Sequence, residues 1–224
     1  MPSAPLPPLL DALDALGPRP ALVTYGADGR TELSGRVLAN WLIKWINLCR
    51  DELGAAEGAD VVIDMPGHWK RAVLAHGAWL MGARVTVRGQ VPDAELPEAI
   101  AILATDRPDS PLAARADDVL ALEPVSLALA FTGALGPLDV DWLEAVRAQP
   151  DQLTAPLPAP SEPDADPGTG ASSVGTGESP GGPVLLEEID GADAGRALAA
   201  WRTSRMVLAP ASQISEEAAR AEGL

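Results

Sequence analysis

Apart from its carboxylates and hydroxyls, the side chains able to move protons, attack carbon or hold a metal are few in this sequence: two histidines, His68 and His76, two lysines, Lys44 and Lys70, and one cysteine, Cys49. Among the acidic residues Asp64 stands apart, because it closes the apolar run Val61-Val62-Ile63 immediately before Met65-Pro66. There it either points into a cleft at the carboxyl end of a sheet, where α/β proteins bind ligands, or caps a turn. His68, beside Trp69 and Lys70 at the start of a helix-patterned segment, either faces a pocket where a helix N-terminus favours anions or is a polar helix-start residue. Residues 172–182, SSVGTGESPGG, carry glycines and hydroxyls, with Ser173, Gly175, Thr176 and Gly177 as candidates to cradle an anion through backbone amides. The same composition suits a flexible linker.

Several chemistries are excluded by inspection. The sequence has no Gly-x-x-x-x-Gly-Lys-Ser/Thr loop, no Gly-x-Gly-x-x-Gly after a strand and no Gly-x-Ser-x-Gly elbow. Two histidines and a distant cysteine fit no zinc spacing, so no metal site is expected. Trp41, Trp45 and Trp79 recur at helical spacing, and on a chain of acidic net charge they predict a packed helix face and not a base-stacking platform. No carboxylate pair separates itself from the acidic surface, and no catalytic residue or cofactor is assigned.

The elements that must position these residues follow from periodicity and breakers. Ala21–Tyr25 and Arg30–Leu33 flank Gly26-Ala27-Asp28-Gly29 and predict a hairpin. Ser34 can cap a helix over Val37–Leu53, whose apolar positions Leu38, Trp41, Leu42, Trp45, Leu48 and Cys49 share a face before Gly54. Val61–Ile63 reads as a strand covered on both faces. A helix over His68–Met81 and a strand over Arg84–Arg88 complete a βαβ unit with parallel pairing. Further strands are expected at 99–105, 118–122 and 126–131, and a short helix over 140–148 around Trp142. Residues 154–183 are rich in Pro, Gly, Ser, Thr and acids and predict a flexible linker or loop. Strand, helix and strand patterns then return at 184–189, 192–201 and 206–208, with a polar helical turn at 216–222. The expected organisation is an α/β core over 1–153, the linker over 154–183, and a β-α-β extension over 184–224 packed on the same domain.

Residues 20 to 87 carry Tyr25 near a hairpin turn, Leu53-Gly54 ending a helix, Gly58-Ala59-Asp60-Val61 opening a strand, Pro66 closing it, and Met81-Gly82-Ala83 after the next helix. In that order they resemble the opening segment of the AMP-forming acyl and aminoacyl adenylate synthetases. The resemblance covers residues 20 to 87 best, extends to about 150, and is faint after 184. It implies an α/β fold, a three-layer sandwich with a mostly parallel sheet like an N-terminal subdomain of those enzymes. It also implies that the 172–182 loop lies where such enzymes carry a phosphate-cradling loop ending in Pro-Lys-Gly. Here that loop has no lysine. The family's downstream Tyr-Gly-x-Thr-Glu and Thr-Gly-Asp motifs are absent, and neither Lys44 nor Lys70, both in the N-terminal helices, corresponds to its C-terminal lid lysine. The expectation is a chain that stops before the rest of such an active site.

A formal charge of −16 disfavours nucleic acid and acidic membrane surfaces as partners. No apolar run is long enough to span a bilayer and the N-terminus lacks a secretory pattern, so a cytoplasmic protein is expected. A single cysteine agrees with a reducing compartment. Together these lead to a catalytically inactive, adenylate-forming-like protein that acts as a binding or protein-interaction module with an unknown protein partner. The alternatives are an incomplete acyl-activating subunit that needs a partner chain for its lid, and a regulatory acyl, CoA or nucleotide-binding domain.

Overall fold

The computed structural model describes residues 8–26, 28–89, 92–158, 183–186, 194–209 and 214–224. The chain opens with a helix that the expectations above do not include, α1 (Pro8–Leu16), whose Leu9, Leu10, Leu13 and Leu16 are all buried. Their i, i+1, i+4, i+7 spacing is the physical reason it forms. The hairpin follows as β1 (Pro20–Gly26) and β2 (Gly29–Ser34), paired antiparallel from Leu22 opposite Leu33 to Gly26 opposite Gly29.

Ser34 caps α2 (Gly35–Asn47) by accepting a hydrogen bond from the Val37 amide, and the helix passes into a π-helical turn over Leu48–Glu52. Next come β3 (Asp60–Asp64), α3 (Trp69–Leu80) and β4 (Arg84–Val87), with β3 and β4 parallel, Asp60 opposite Arg84. Strands β5 (Ile100–Thr105), β6 (Ala116–Ala121) and β7 (Val140–Asp141) extend the sheet, and β7 runs directly into α4 (Trp142–Ala148). The last elements are β8 (Val184–Leu186), α5 (Ala194–Thr203), β9 (Met206–Leu208) and α6 (Glu216–Glu222).

The class is α/β with mostly parallel strands, as expected, but the strands divide between two sheets. One has the order β4-β3-β5-β6-β7 and is wholly parallel; the other has the order β2-β1-β9-β8. The late strand β9 inserts beside β1, placing Leu22 opposite Met206 and Thr24 opposite Leu208. Helix α3 touches both sheets, so helices form the middle of three layers. One core joins α1, α2, α3, α4, α5 and both sheets, while Val62, Ile100 and Leu103 on the other face of the five-stranded sheet are covered by Leu96 and Leu112 from loops.

Packing between α2 and α3 is set by one tryptophan. Trp45 is fully buried, donates its indole N–H to the Leu74 carbonyl at 3.1 Å, and lies over Gly77, where an added Cβ would meet its Cδ1 at 2.3 Å. Trp201 of α5 plays the same part on the other side, donating to the Ala21 carbonyl at 2.9 Å.

The strand expected at 126–131 is not formed; residues 122–139 follow an irregular path between β6 and β7. Its Leu-Ala-Leu-Ala alternation mimics a strand, but side chains take its backbone groups before a neighbouring strand can.

Candidate functional site

The carboxyl ends of the parallel strands carry two polar constellations. Asp64, the last residue of β3, is buried and held by two arginines: Arg107 donates to both carboxylate oxygens at 2.9 and 3.1 Å, and Arg88 to Oδ2 at 3.1 Å. Thr105 at the end of β5 lies 3.5 Å from the same oxygen, and its hydroxyl accepts the Arg107 amide at 3.0 Å. Arg88 also grips Asp93. Asp64 therefore lies at the carboxyl end of the five-stranded sheet, and among the described residues its carboxylate is engaged by the chain's own cations and lies near Thr105. Burial raises the pKa of the neighbouring Asp106.

The second constellation surrounds His68, the N-cap of α3. Its Nδ1 accepts the Lys70 amide at 3.2 Å, and its Nε2 lies 3.1 Å from the Ser126 hydroxyl. Asp28 accepts the Ser126 amide at 2.6 Å. Serine, histidine and aspartate are thus close together, but the arrangement opposes nucleophilic catalysis. An Nδ1 that accepts a hydrogen bond leaves the proton on Nε2, which then donates to Ser126 and cannot remove its proton. Burial, followed by the charge of Lys70, lowers the His68 pKa to about 4, so the ring is neutral near pH 7.

Lys70 is buried beneath the 122–132 segment. Its ammonium donates to the Glu123 carbonyl and, at 2.9 Å, to the Val125 carbonyl, and it sits 5.6 Å from the Trp69 ring centre. Burial brings its pKa down to about 8, against the pull of Glu123, Asp28 and Asp141. Lys44 is used in the same way: it donates to the Arg147 and Gln149 carbonyls and pairs with Asp151 at 2.7 Å. Lys70 therefore ties α3 to irregular chain, and Lys44 ties α2 to the last turn of α4 and the residues after it.

The remaining candidates have other surroundings. Ser173, Gly175, Thr176 and Gly177 lie outside the described residues. Cys49 is fully buried, and burial raises its thiol pKa well above the ordinary value. His76 is buried against Trp201, with ring centres 5.2 Å apart, and its Nδ1 donates to the Ala72 carbonyl at 2.7 Å. Trp41 stacks on Trp142 at 5.6 Å and lies 5.2 Å from Trp69, a tryptophan cluster that packs α2, α3 and α4 together. His68 and Asp64 share no partner. Among the described residues no group of His, Cys, Asp and Glu is arranged to hold a metal ion, and no helix is long and apolar enough to cross a membrane. The cluster of Lys70, Glu123, Ser126 and Asp28 was not foreseen, since its members come from separate stretches and only Lys70 carried any signal of its own.

This architecture is the fold of the N-terminal subdomains of adenylate-forming enzymes. The amide bond synthetase McbA from Marinactinospora thermotolerans matches 95% of this chain with 45% of its own, at a TM-score of 0.59 and 15% identity. The N-terminal subdomain of Klebsiella oxytoca NpsA, solved in complex with 3-hydroxyanthranilyl-AMSN, matches 90% of this chain with 52% of its own, at a TM-score of 0.55 and 15% identity. In sequence, a Mycobacterium tuberculosis protein described as a TIGR03089 family protein is 37% identical over 153 residues, 66% of this chain. This chain's match spans 60% of that relative and about half or less of the two solved chains. No family model matches the sequence.

Proposed function

We propose that this chain is a non-catalytic binding module on an adenylate-forming scaffold, acting through contact with a protein partner in the reducing cytoplasm. The observation that carries this reading is the commitment of its lysines. Adenylate formation needs positive charge beside the reacting phosphorus, which the resembling family supplies in part from lysines. Lys44 and Lys70 are the only lysines, and each holds backbone carbonyls. Asp64, His68 and Ser126 are likewise engaged by the chain's own groups. The lone cysteine, buried and unreactive, supports the compartment.

Thermal unfolding of the purified protein with ATP, AMP, CoA and acyl-CoAs tests the reading. A ligand at a hundredfold its dissociation constant adds about 2.7 kcal/mol, which moves the midpoint of a domain of this size by roughly 5 to 10 °C. A flat response is expected. A shift with any of these ligands would replace this reading with that of a regulatory acyl, CoA or nucleotide-binding domain.

A second reading is an acyl-activating subunit completed by a partner chain that supplies the lid. Stable co-purification with a lid-bearing protein supports it, and a monodisperse lone chain in lysate counts against it.

A further inference from the structure

Of six large apolar side chains that stand in solvent among the described residues, five belong to one stretch: Val125, Leu127, Leu129, Leu135 and Leu138. Leu127, Leu129 and Leu138 are 85%, 73% and 90% exposed. The backbone beneath them is fixed at many points. Lys70 holds the Glu123 and Val125 carbonyls, and Trp69 and Asp28 hold Ser126. Arg147 donates to the Leu129 carbonyl at 3.1 Å, and Asp141 accepts the Phe131 amide at 2.7 Å. Glu123 accepts the Thr132 amide at 3.0 Å, and Asp139 the Gly136 amide at 2.6 Å. Two of the side chains that hold this backbone, Lys70 and Glu123, are themselves buried, while the leucines face water. A surface whose shape is set before a partner arrives loses little entropy on binding, and exposed apolar surface of this kind marks interaction sites.

We propose that residues 125–138 form a preorganised docking surface for a cationic polypeptide with an apolar face. This deepens the interaction-module reading and rests on it. A second copy would bring another −16 of formal charge against this one. The surface adjoins a shallow depression lined by Leu129, Ala130, Glu144, Arg147 and Ala148. Arg147 turns its guanidinium to the Leu129 carbonyl, Glu144 lines the same depression, and Asp139 follows Leu138. Leucines beside these carboxylates, on a chain of −16 formal charge, fit a partner with leucines or aromatics flanked by lysine or arginine.

The test uses the full chain and a fluorescently labelled helix-forming peptide with leucines on one face and lysines on the other, followed by anisotropy. The control peptide has glutamates in place of the lysines. The wild type should bind the lysine peptide and not the glutamate one. Leu127→Gln, Leu129→Gln and Leu138→Gln combined should weaken binding about tenfold or more at unchanged net charge, with the thermal midpoint kept because these side chains are exposed. Val37→Gln, on the exposed side of α2, should bind like the wild type. Equal binding by the triple variant would reduce the attraction to net charge and overturn the proposal. So would equal binding of the glutamate peptide, or a wild-type dimer in light scattering that the triple variant loses. None of these outcomes bears on whether the chain makes an adenylate, so the non-catalytic half of the reading stands or falls separately.

Discussion

Acidification should unfold this protein in a window set by its two histidines. Both rings are buried, and in both burial is the leading cause that lowers the pKa from 6.5 to about 4. The unfolded chain binds protons at these positions below about pH 6.5, whereas the folded chain resists until about pH 4. Stability is therefore complete above the unfolded value and is lost as pH falls from 6.5 towards 4. Each histidine should cost roughly 1 kcal/mol at pH 5.5 and roughly 2 to 3 kcal/mol at pH 4.5. Two together remove about 5 kcal/mol, comparable to the whole stability of many domains. The control is the double variant His68→Asn, His76→Asn. An asparagine oxygen can accept the Lys70 amide as Nδ1 of His68 does, and an asparagine amide can donate to the Ala72 carbonyl as Nδ1 of His76 does. Urea unfolding of both proteins at pH 7.5, 5.5 and 4.5 measures the difference. The variant should lose about 5 kcal/mol less than the wild type between pH 7.5 and 4.5. Parallel losses in the two proteins would refute the reasoning and shift the acid sensitivity to the carboxylates.

Three further outcomes are expected. Gly77→Ala gains helix propensity of about 1 kcal/mol, but its methyl must displace Trp45, so a net loss of about 1–2 kcal/mol should appear in denaturant unfolding. Glu222→Gln weakens a carboxylate that receives Tyr25 at 2.9 Å, Arg30 at 2.8 Å and Arg205 at 2.9 Å. It should cost about 2 kcal/mol and loosen α6 first, seen as faster hydrogen exchange there than in α3. Asp64→Asn leaves Arg88 and Arg107 facing a neutral amide; a loss of about 1–3 kcal/mol is expected by chemical denaturation, and an unchanged midpoint would deny the ion pairs any part in stability.

The first half of the fold was legible because its signals are local. The hairpin has its turn residues, α2 has Ser34 before it and Gly54 after it, and β3 and β4 flank a helix of fitting length. Helix α1 had a signal as well, in Leu9, Leu10, Leu13 and Leu16, although a nine-residue helix begun at a proline is easily passed over. The pairing of β9 with β1 was not legible, since nothing within either strand records a neighbour about 180 residues away. Asp64 draws attention in the sequence as a carboxylate ending an apolar run, but its partners Arg88 and Arg107 come from two other strand ends that only the parallel sheet brings together. The segment 126–131 misled because alternation records side-chain spacing and says nothing of who satisfies the backbone. Lys70 and Asp28 decide that, from distant positions.

On the reading proposed above, an adenylate-forming scaffold persists here without the chemistry. The most direct test of that claim is to incubate the purified chain at high concentration with ATP, magnesium and a panel of aliphatic and aromatic carboxylic acids, trap acyl groups with hydroxylamine, and measure hydroxamate and AMP by mass spectrometry. Neither product should rise above the protein-free control. Acyl hydroxamate together with equivalent AMP would contradict the claim and return the lysines, or the residues from 159 to 182, to the centre of a reaction.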